Sequence, residues 1–208
     1  MGKVKVKKSD VWIDMTPMSD VMVLLLTFFM LTSTFVKNEP VKVVTPGSVS
    51  EMKVPETDVL SILVDKKGKV FMSMDKTSDL EATLQTVTSD NNITLTPEQV
   101  KKFKNDAMFG APLKDLKSYL NKTQSEMAEA IQKLGIPTDS IAGSDGSKGM
   151  SEFQQWVNAA RNTNDNIKIC IKADASTPYS TVKKVMSELQ DMSENRYYLI
   201  TSYKKVED

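Results

Sequence analysis

The chain contains no histidine and only one cysteine, Cys170, among its 208 residues. Without histidine there can be no His-dependent triad and no His-ligated metal site. A single cysteine excludes an intrachain disulfide and a Cys-x-x-Cys site, so stability must come from packing. Neither sign of charge is in excess, with 27 Lys and Arg against 27 Asp and Glu. A net charge of zero offers no general attraction to nucleic acid, which is not expected as a partner. No nucleophile–base pair, metal cluster or phosphate loop can be assembled from the sequence. The expectation is a protein that is not an enzyme and uses no cofactor or metal. Long apolar runs are equally scarce: there is one, at residues 15–36.

That run is about 22 residues, or roughly 33 Å as helix, enough to span a bilayer core. From Val21 to Val36 it carries no charge. No small-residue cleavage site follows it, and it is long for a signal peptide. Lys3, Lys5, Lys7 and Lys8 precede it, whereas Lys37 and Lys42 beyond it are offset by Glu39. The positive-inside rule places the N-terminus in the cytoplasm and the rest outside, which is the periplasm in a bacterium with two membranes. Pro17 suits the first turn, where its missing N–H costs nothing. Asp20 lies about one turn further in. A carboxylate at the centre of a membrane helix costs about 2.5–3.5 kcal/mol, and less near its ends. Thr27 and Thr34 follow Asp20 at seven-residue spacing, which drifts only ~20° per repeat, so the three share a face. Such a stripe points toward protein or water. Two plainer readings of Asp20 stay open, a helix cap or an acid snorkelling to the headgroups.

At these residues the chain resembles the ExbD/TolR family, the single-span subunits of proton-driven energy-transducing complexes. The resemblance is carried by Thr16-Pro17-Met18-Ser19-Asp20-Val21-Met22, running on into Leu24-Leu25-Leu26-Thr27-Phe28-Phe29-Met30. Asp14 stands where the family often has Asn, and Ser19 where it has an aliphatic residue. A second similarity lies in Ile169-Cys-Ile-Lys-Ala-Asp174, followed by Tyr179 and a Val182 to Leu189 helix. A third, weaker one is Val41-Lys-Val-Val-Thr-Pro46, with Thr45 in place of Leu. The resemblance implies proton translocation at Asp20, a family motif at Asp174 and Tyr179, and a candidate partner-strand segment at Val41, Val43 and Pro46. It also implies an ExbB/TolQ-like multi-span partner ringing two copies of the helix, hence a homodimer, and a TonB-like target. Residues 1–75 and 150–203 fit the family pattern, and residues 76–149 read as an insertion.

The expected organisation is a cytoplasmic segment 1–14, a transmembrane helix 15–36 and an extended linker 37–57. An α+β domain follows over 58–75 and 150–205, interrupted by a helical insertion 76–149. Residues 59–64 and 70–74 read as a hairpin around Lys66-Lys67-Gly68. Ile167, Ile169 and Ile171 alternate with Lys168, Cys170 and Lys172, which predicts a half-buried strand with Cys170 as a packed thiol on the lysine face. Thr177-Pro178 reads as a cap and first residue of a helix whose inner face carries Tyr179, Val182, Val185, Met186 and Leu189. Residues 150–162 form a second helix, with Phe153, Trp156, Val157 and Ala160 inward, and residues 197–203 the last strand. The fold class is therefore a single membrane helix plus a small α+β sandwich, strand–strand–helix–strand–helix–strand, with helices on one face. In the insertion, Thr96-Pro97-Glu98-Gln99 is a capping box, residues 112–120 and 124–134 are helices, and 138–149 is a flexible return.

A lone span has no interior path for protons, so Asp20 needs a partner that supplies polar groups and water. The leading expectation is a subunit of a proton-motive-force-coupled inner-membrane motor that energises outer-membrane transport. A TolR-like role in envelope maintenance is the alternative within that class. A passive anchored scaffold, with the cell wall as a further candidate partner, is the alternative outside it.

Overall fold

The structure is a computed structural model and describes residues 15–32, 39–48, 55, 57–139 and 149–203. The chain divides into two units, residues 1–36 and 37–208. In the first, α1 covers Thr16–Thr32, 17 residues with no buried side chain. At 1.5 Å per residue that is about 25 Å, and a span needs about 20 residues. Among the described residues no helix is long and apolar enough to cross a membrane. Residues 33–36 of the expected span, Thr34 included, lie outside the described residues.

The second unit is α+β and is built on a four-stranded mixed sheet. β1 (Gly47–Ser48) precedes the sheet, and β2 (Val59–Val64) and β3 (Val70–Met74) form its hairpin. Gly68 turns the chain at φ +77°, a conformation that glycine adopts without strain. Its amide donates to the Asp65 carbonyl at 2.7 Å. α2 (Thr77–Asp90), α3 (Pro97–Asn105), α4 (Leu113–Leu120), α5 (Gln124–Ile131) and α6 (Glu152–Thr163) come next. β4 (Lys168–Ala173) and β5 (Tyr197–Leu199) flank α7 (Tyr179–Asp191), and β6 (Ser202–Tyr203) closes the order. The sheet runs β3-β2-β4-β5, with β2 parallel to β4 and β4 parallel to β5.

The two central strands are covered on both faces. In β2, Leu60, Ile62 and Val64 are buried on one face and Val59 and Leu63 on the other. In β4, Ile169, Cys170 and Ile171 are buried in succession. The expected half-buried strand is thus corrected, because a central strand covered on both sides carries a continuous apolar run and not an alternation. Cys170 is packed as expected, and burial pushes its thiol up.

α2 is the element that the sequence reading did not name. Leu80, Leu84 and Val87 are its apolar stripe, and Thr83 and Thr88 fill the remaining buried positions. Those threonines dilute the helical pattern. α2 packs along α6, whose Phe153, Trp156, Val157 and Ala160 are buried as expected. Trp156 stacks on Phe103 at 6.0 Å between centroids and lies 4.7 Å from Phe109. Phe109 in turn forms a bridge with Met72 of β3. Residues of α2 to α5 therefore share one apolar core with the sheet. The helices expected between the hairpin and α6 are present, and they are not a separable module.

Capping boxes start α3, α5 and α6, the one at α5 formed by Thr123 and Glu126. Thr96 and Gln99 form the expected box at α3, and Ser151 with Gln154 forms one at α6. α7 departs from expectation. It begins at Tyr179 with Pro178 in the cap position, and no side chain caps it. Thr177 instead donates its hydroxyl to the Asp65 carbonyl at 3.1 Å. The expected last strand is broken into β5 and β6, because Ile200 donates back to Ile171 while Ser202 donates to Pro46. Residues 140–148 of the expected return lie outside the described residues.

Gly110 marks a close approach. A Cβ there would meet Cδ1 of Phe71 at 2.2 Å, and Phe71 is fully buried. Gly110→Ala is expected to destabilise the domain by about 1–3 kcal/mol through overpacking. Denaturant unfolding of the variant beside the parent chain checks this, and an unchanged midpoint would show that the ring moves aside freely.

Candidate functional site

The described chain presents two places where polar chemistry is positioned, α1 and the strap formed by residues 39–48. Pro17 is the second residue of α1, where its lack of an N–H leaves no helical bond unmade. Asp20 stands one turn in, and no hydrogen bond or ion pair to a described residue engages it. It is therefore not a side-chain cap of this helix. Thr27 turns its hydroxyl back onto its own helix, donating to the Val23 carbonyl at 2.9 Å and the Leu24 carbonyl at 3.0 Å. Ser19 and Thr32 do the same toward Met15 and Phe28. These hydroxyls are satisfied within the helix, so the carboxyl of Asp20 is the one strongly polar group left to interact outward. Around it every described apolar side chain of α1 is exposed, from Met18 to Leu31.

The strap comes from the stretch expected to be an extended linker. Its described residues 39–48 lie against their own domain. Val41 is buried and Val43 packs partly against the core. Gln132, just past α5, donates to the Pro40 carbonyl at 3.1 Å. Pro46 accepts from the Ser202 amide at 2.9 Å, and β1 then pairs with β6 in parallel. The strap thus crosses the end of the sheet where β2, β4 and β5 finish. Val41, Val43 and Pro46, the candidate partner-strand segment, are all engaged with the chain itself.

Asp174 fastens this strap. One carboxylate oxygen accepts from the Ser176 amide at 2.9 Å and the other from the Val44 amide at 3.0 Å. The Ala175 amide adds a bond to the Val44 carbonyl at 2.8 Å. The amides of Ser176 and Val44 hold the Asp174 carboxyl below the usual carboxylate range. The structure therefore brings Asp174 together with the Val41 to Pro46 segment, a link of 130 residues that the sequence could not reveal. Tyr179 is not part of it. Expected on the inner face of α7, it is 72% exposed, because the helix begins at this residue and its ring lies beyond the core edge. Among the described residues no group of His, Cys, Asp and Glu side chains could hold a metal ion.

Because the docked carboxylate titrates below its ordinary value of about 3.9, the clamp is complete above that pH. It is lost as the pH falls through the depressed value. Asp174→Ala is expected to release the strap at neutral pH. Amide exchange, corrected for intrinsic rates, should accelerate at Val44 and Ser176 in the variant, and in the parent chain only on acidification below about pH 4. Unchanged protection at Val44 in the variant would show that β1 and Val41 hold the strap alone.

Residues 7–107 match the family model described as biopolymer transport protein ExbD/TolR. The match takes in α1, the strap, the hairpin, α2 and α3, so it runs into the stretch read from the sequence as an insertion. It stops before residues 150–203, where Asp174 and Tyr179 lie. No curated protein and no solved structure matches the chain. The family is a membrane-associated bacterial one that works with ExbB/TolQ and TonB-like proteins, and its members are transport accessories and not known enzymes. The Thr16 to Met22 motif lies inside the matched residues, so this part of the chain is similar to the ExbD/TolR family of biopolymer transport proteins.

Proposed function

We propose that this chain is a proton-motive-force-coupled subunit of an inner-membrane motor, in which residues 15–36 cross the membrane and Asp20 carries the proton. The observation that bears most of this reading is Asp20 itself. It is a carboxylic acid in an otherwise charge-free apolar helix, and no described residue engages it. An acid is rarely kept in such a place without a partner facing it. An ExbB/TolQ-like multi-span protein, ringing two copies of the helix, would supply the polar groups and water that a single span lacks. Protonation and release of Asp20 against that ring would couple proton passage to movement of the helix pair. One proton crossing ~200 mV releases roughly 4.6 kcal/mol, sufficient for a conformational step. Lys3, Lys5, Lys7 and Lys8 orient the N-terminus to the cytoplasm and residues 37–208 to the periplasm. There the folded domain would pass the movement to a TonB-like protein that serves outer-membrane transport.

Asp20→Asn removes the titratable group at nearly constant volume. The variant is expected to insert and assemble normally and to lose all energy-dependent uptake; retained uptake would contradict the motor reading. Thr27→Val should impair and not abolish activity, because polar contacts between membrane helices contribute only about 0.6–2 kcal/mol each. Full activity in the Thr27→Val, Thr34→Val double variant would make the polar stripe incidental. Cysteine crosslinking in membranes, with Cys170 replaced, should capture a homodimer, and monomers alone across a panel of sites would refute the paired arrangement.

A further inference from the structure

The strap and the hairpin turn together enclose a cleft of about 470 Å³. Lys42 comes from the strap, and Lys66 and Lys67 come from the turn between β2 and β3. Gly68, at φ +77°, lets that turn close directly after the two lysines. Buried Val41 and Phe71 form the apolar wall. Asp65 is the one carboxylate lining the cleft, against three ammonium groups. None of the three lysines makes an ion pair with a described residue. The cleft is also held in shape. Lys69 donates to the Gln132 carbonyl at 3.3 Å, and Gln132 donates to Pro40. Three lysines lining a cleft with an apolar wall form a site for a phosphate group carried on an apolar body, since lysine binds phosphate as a point charge.

Chain length decides where that phosphate comes from. This step rests on the membrane reading proposed above. If residues 15–36 cross the membrane, Pro40 follows the span by four residues, and four extended residues reach at most about 14 Å. Lys42 is two residues further on. We infer that this cleft takes the headgroup of an anionic phospholipid in the outer leaflet of the same membrane. A lysine beside an anionic surface contributes on the order of fivefold in binding, so three together contribute on the order of a hundredfold. The contact would brace the strap and the turn against the bilayer. None of this involves proton transfer.

The test uses the full chain in nanodiscs of phosphatidylcholine alone and of phosphatidylcholine mixed with phosphatidylglycerol. Amide exchange at Val41, Lys42, Lys66 and Lys67 is expected to slow severalfold in the anionic bilayer only. The protection should vanish at ~1 M salt, where the screening length falls to about 3 Å. It should also vanish in the K42E/K66E/K67E variant, with unchanged protection at Ile169 and Ile171 showing that the sheet is intact. Equal exchange in both bilayers, or a lipid dependence that survives in an intact triple variant, would overturn the inference and leave the motor reading standing. Protection by inorganic phosphate over phosphatidylcholine, with none from phosphatidylglycerol, would assign the cleft to a soluble phosphate and overturn the lipid assignment. A chain that fails to enter the nanodisc would overturn the membrane reading and this inference with it.

Discussion

Trp156 is the side chain on which the folded domain turns. It is almost fully buried on α6, stacks on Phe103 of α3 and touches Phe109 next to the β3 edge. Truncating a buried Trp or Phe typically costs 3–5 kcal/mol, a large share of the 5–15 kcal/mol that stabilises an ordinary domain. The helices between the hairpin and α6 are tied to the sheet through this cluster. α2 completes it by laying Leu80, Leu84 and Val87 along α6. Buried polar groups then fix the register of the pieces. Ser151 donates to Glu188 of α7 at 2.8 Å, and Glu152 accepts from the Leu113 amide at the start of α4 at 2.9 Å. Arg161 engages Glu194 through two guanidinium nitrogens and the Ile167 carbonyl through a third. α6 is thereby joined to α4, to α7 and to the start of β4.

A rigid sheet gives the strap a fixed surface to dock on. The strap has little apolar area of its own, with Val41 its one buried hydrophobic side chain. It is held mainly by directed bonds, from Gln132 at one end, Asp174 in the middle and Ser202 at the other. Such an attachment is local and opens at lower free energy than the core. In chain order the strap lies between α1 and β2. Under the proposed motor function, the strap would be the most compliant joint of the described domain.

The sequence disclosed the parts whose signals are local. The hairpin residues 59–64 and 70–74, the capping box at Thr96 and the inward face of α6 could all be read from spacing and composition. Asp20 stands out in the sequence as the one acid in a charge-free run, and the proposal rests on that position. Parts set by distant partners were not readable. Thr83 and Thr88 hid α2 by occupying buried positions that pattern reading assigns to apolar residues. β4 looked half-buried because Lys168 and Lys172 alternate with its isoleucines, although its middle is covered on both faces. The role of Asp174 depends on an amide 130 residues away. Tyr179 resembled a core residue because helical spacing puts it in line with Val182, Val185 and Met186, yet it is the first residue of α7 and is exposed.

The central claim is that Asp20 is the group that takes up and gives back the proton. Isotope-edited infrared difference spectroscopy tests this directly, on membranes containing the chain and its multi-span partner with and without an imposed proton gradient. A carboxylic-acid carbonyl band should appear or vanish with the gradient and be absent in Asp20→Asn. A spectrum that does not change with the gradient, or one that changes equally in Asp20→Asn, would contradict the account.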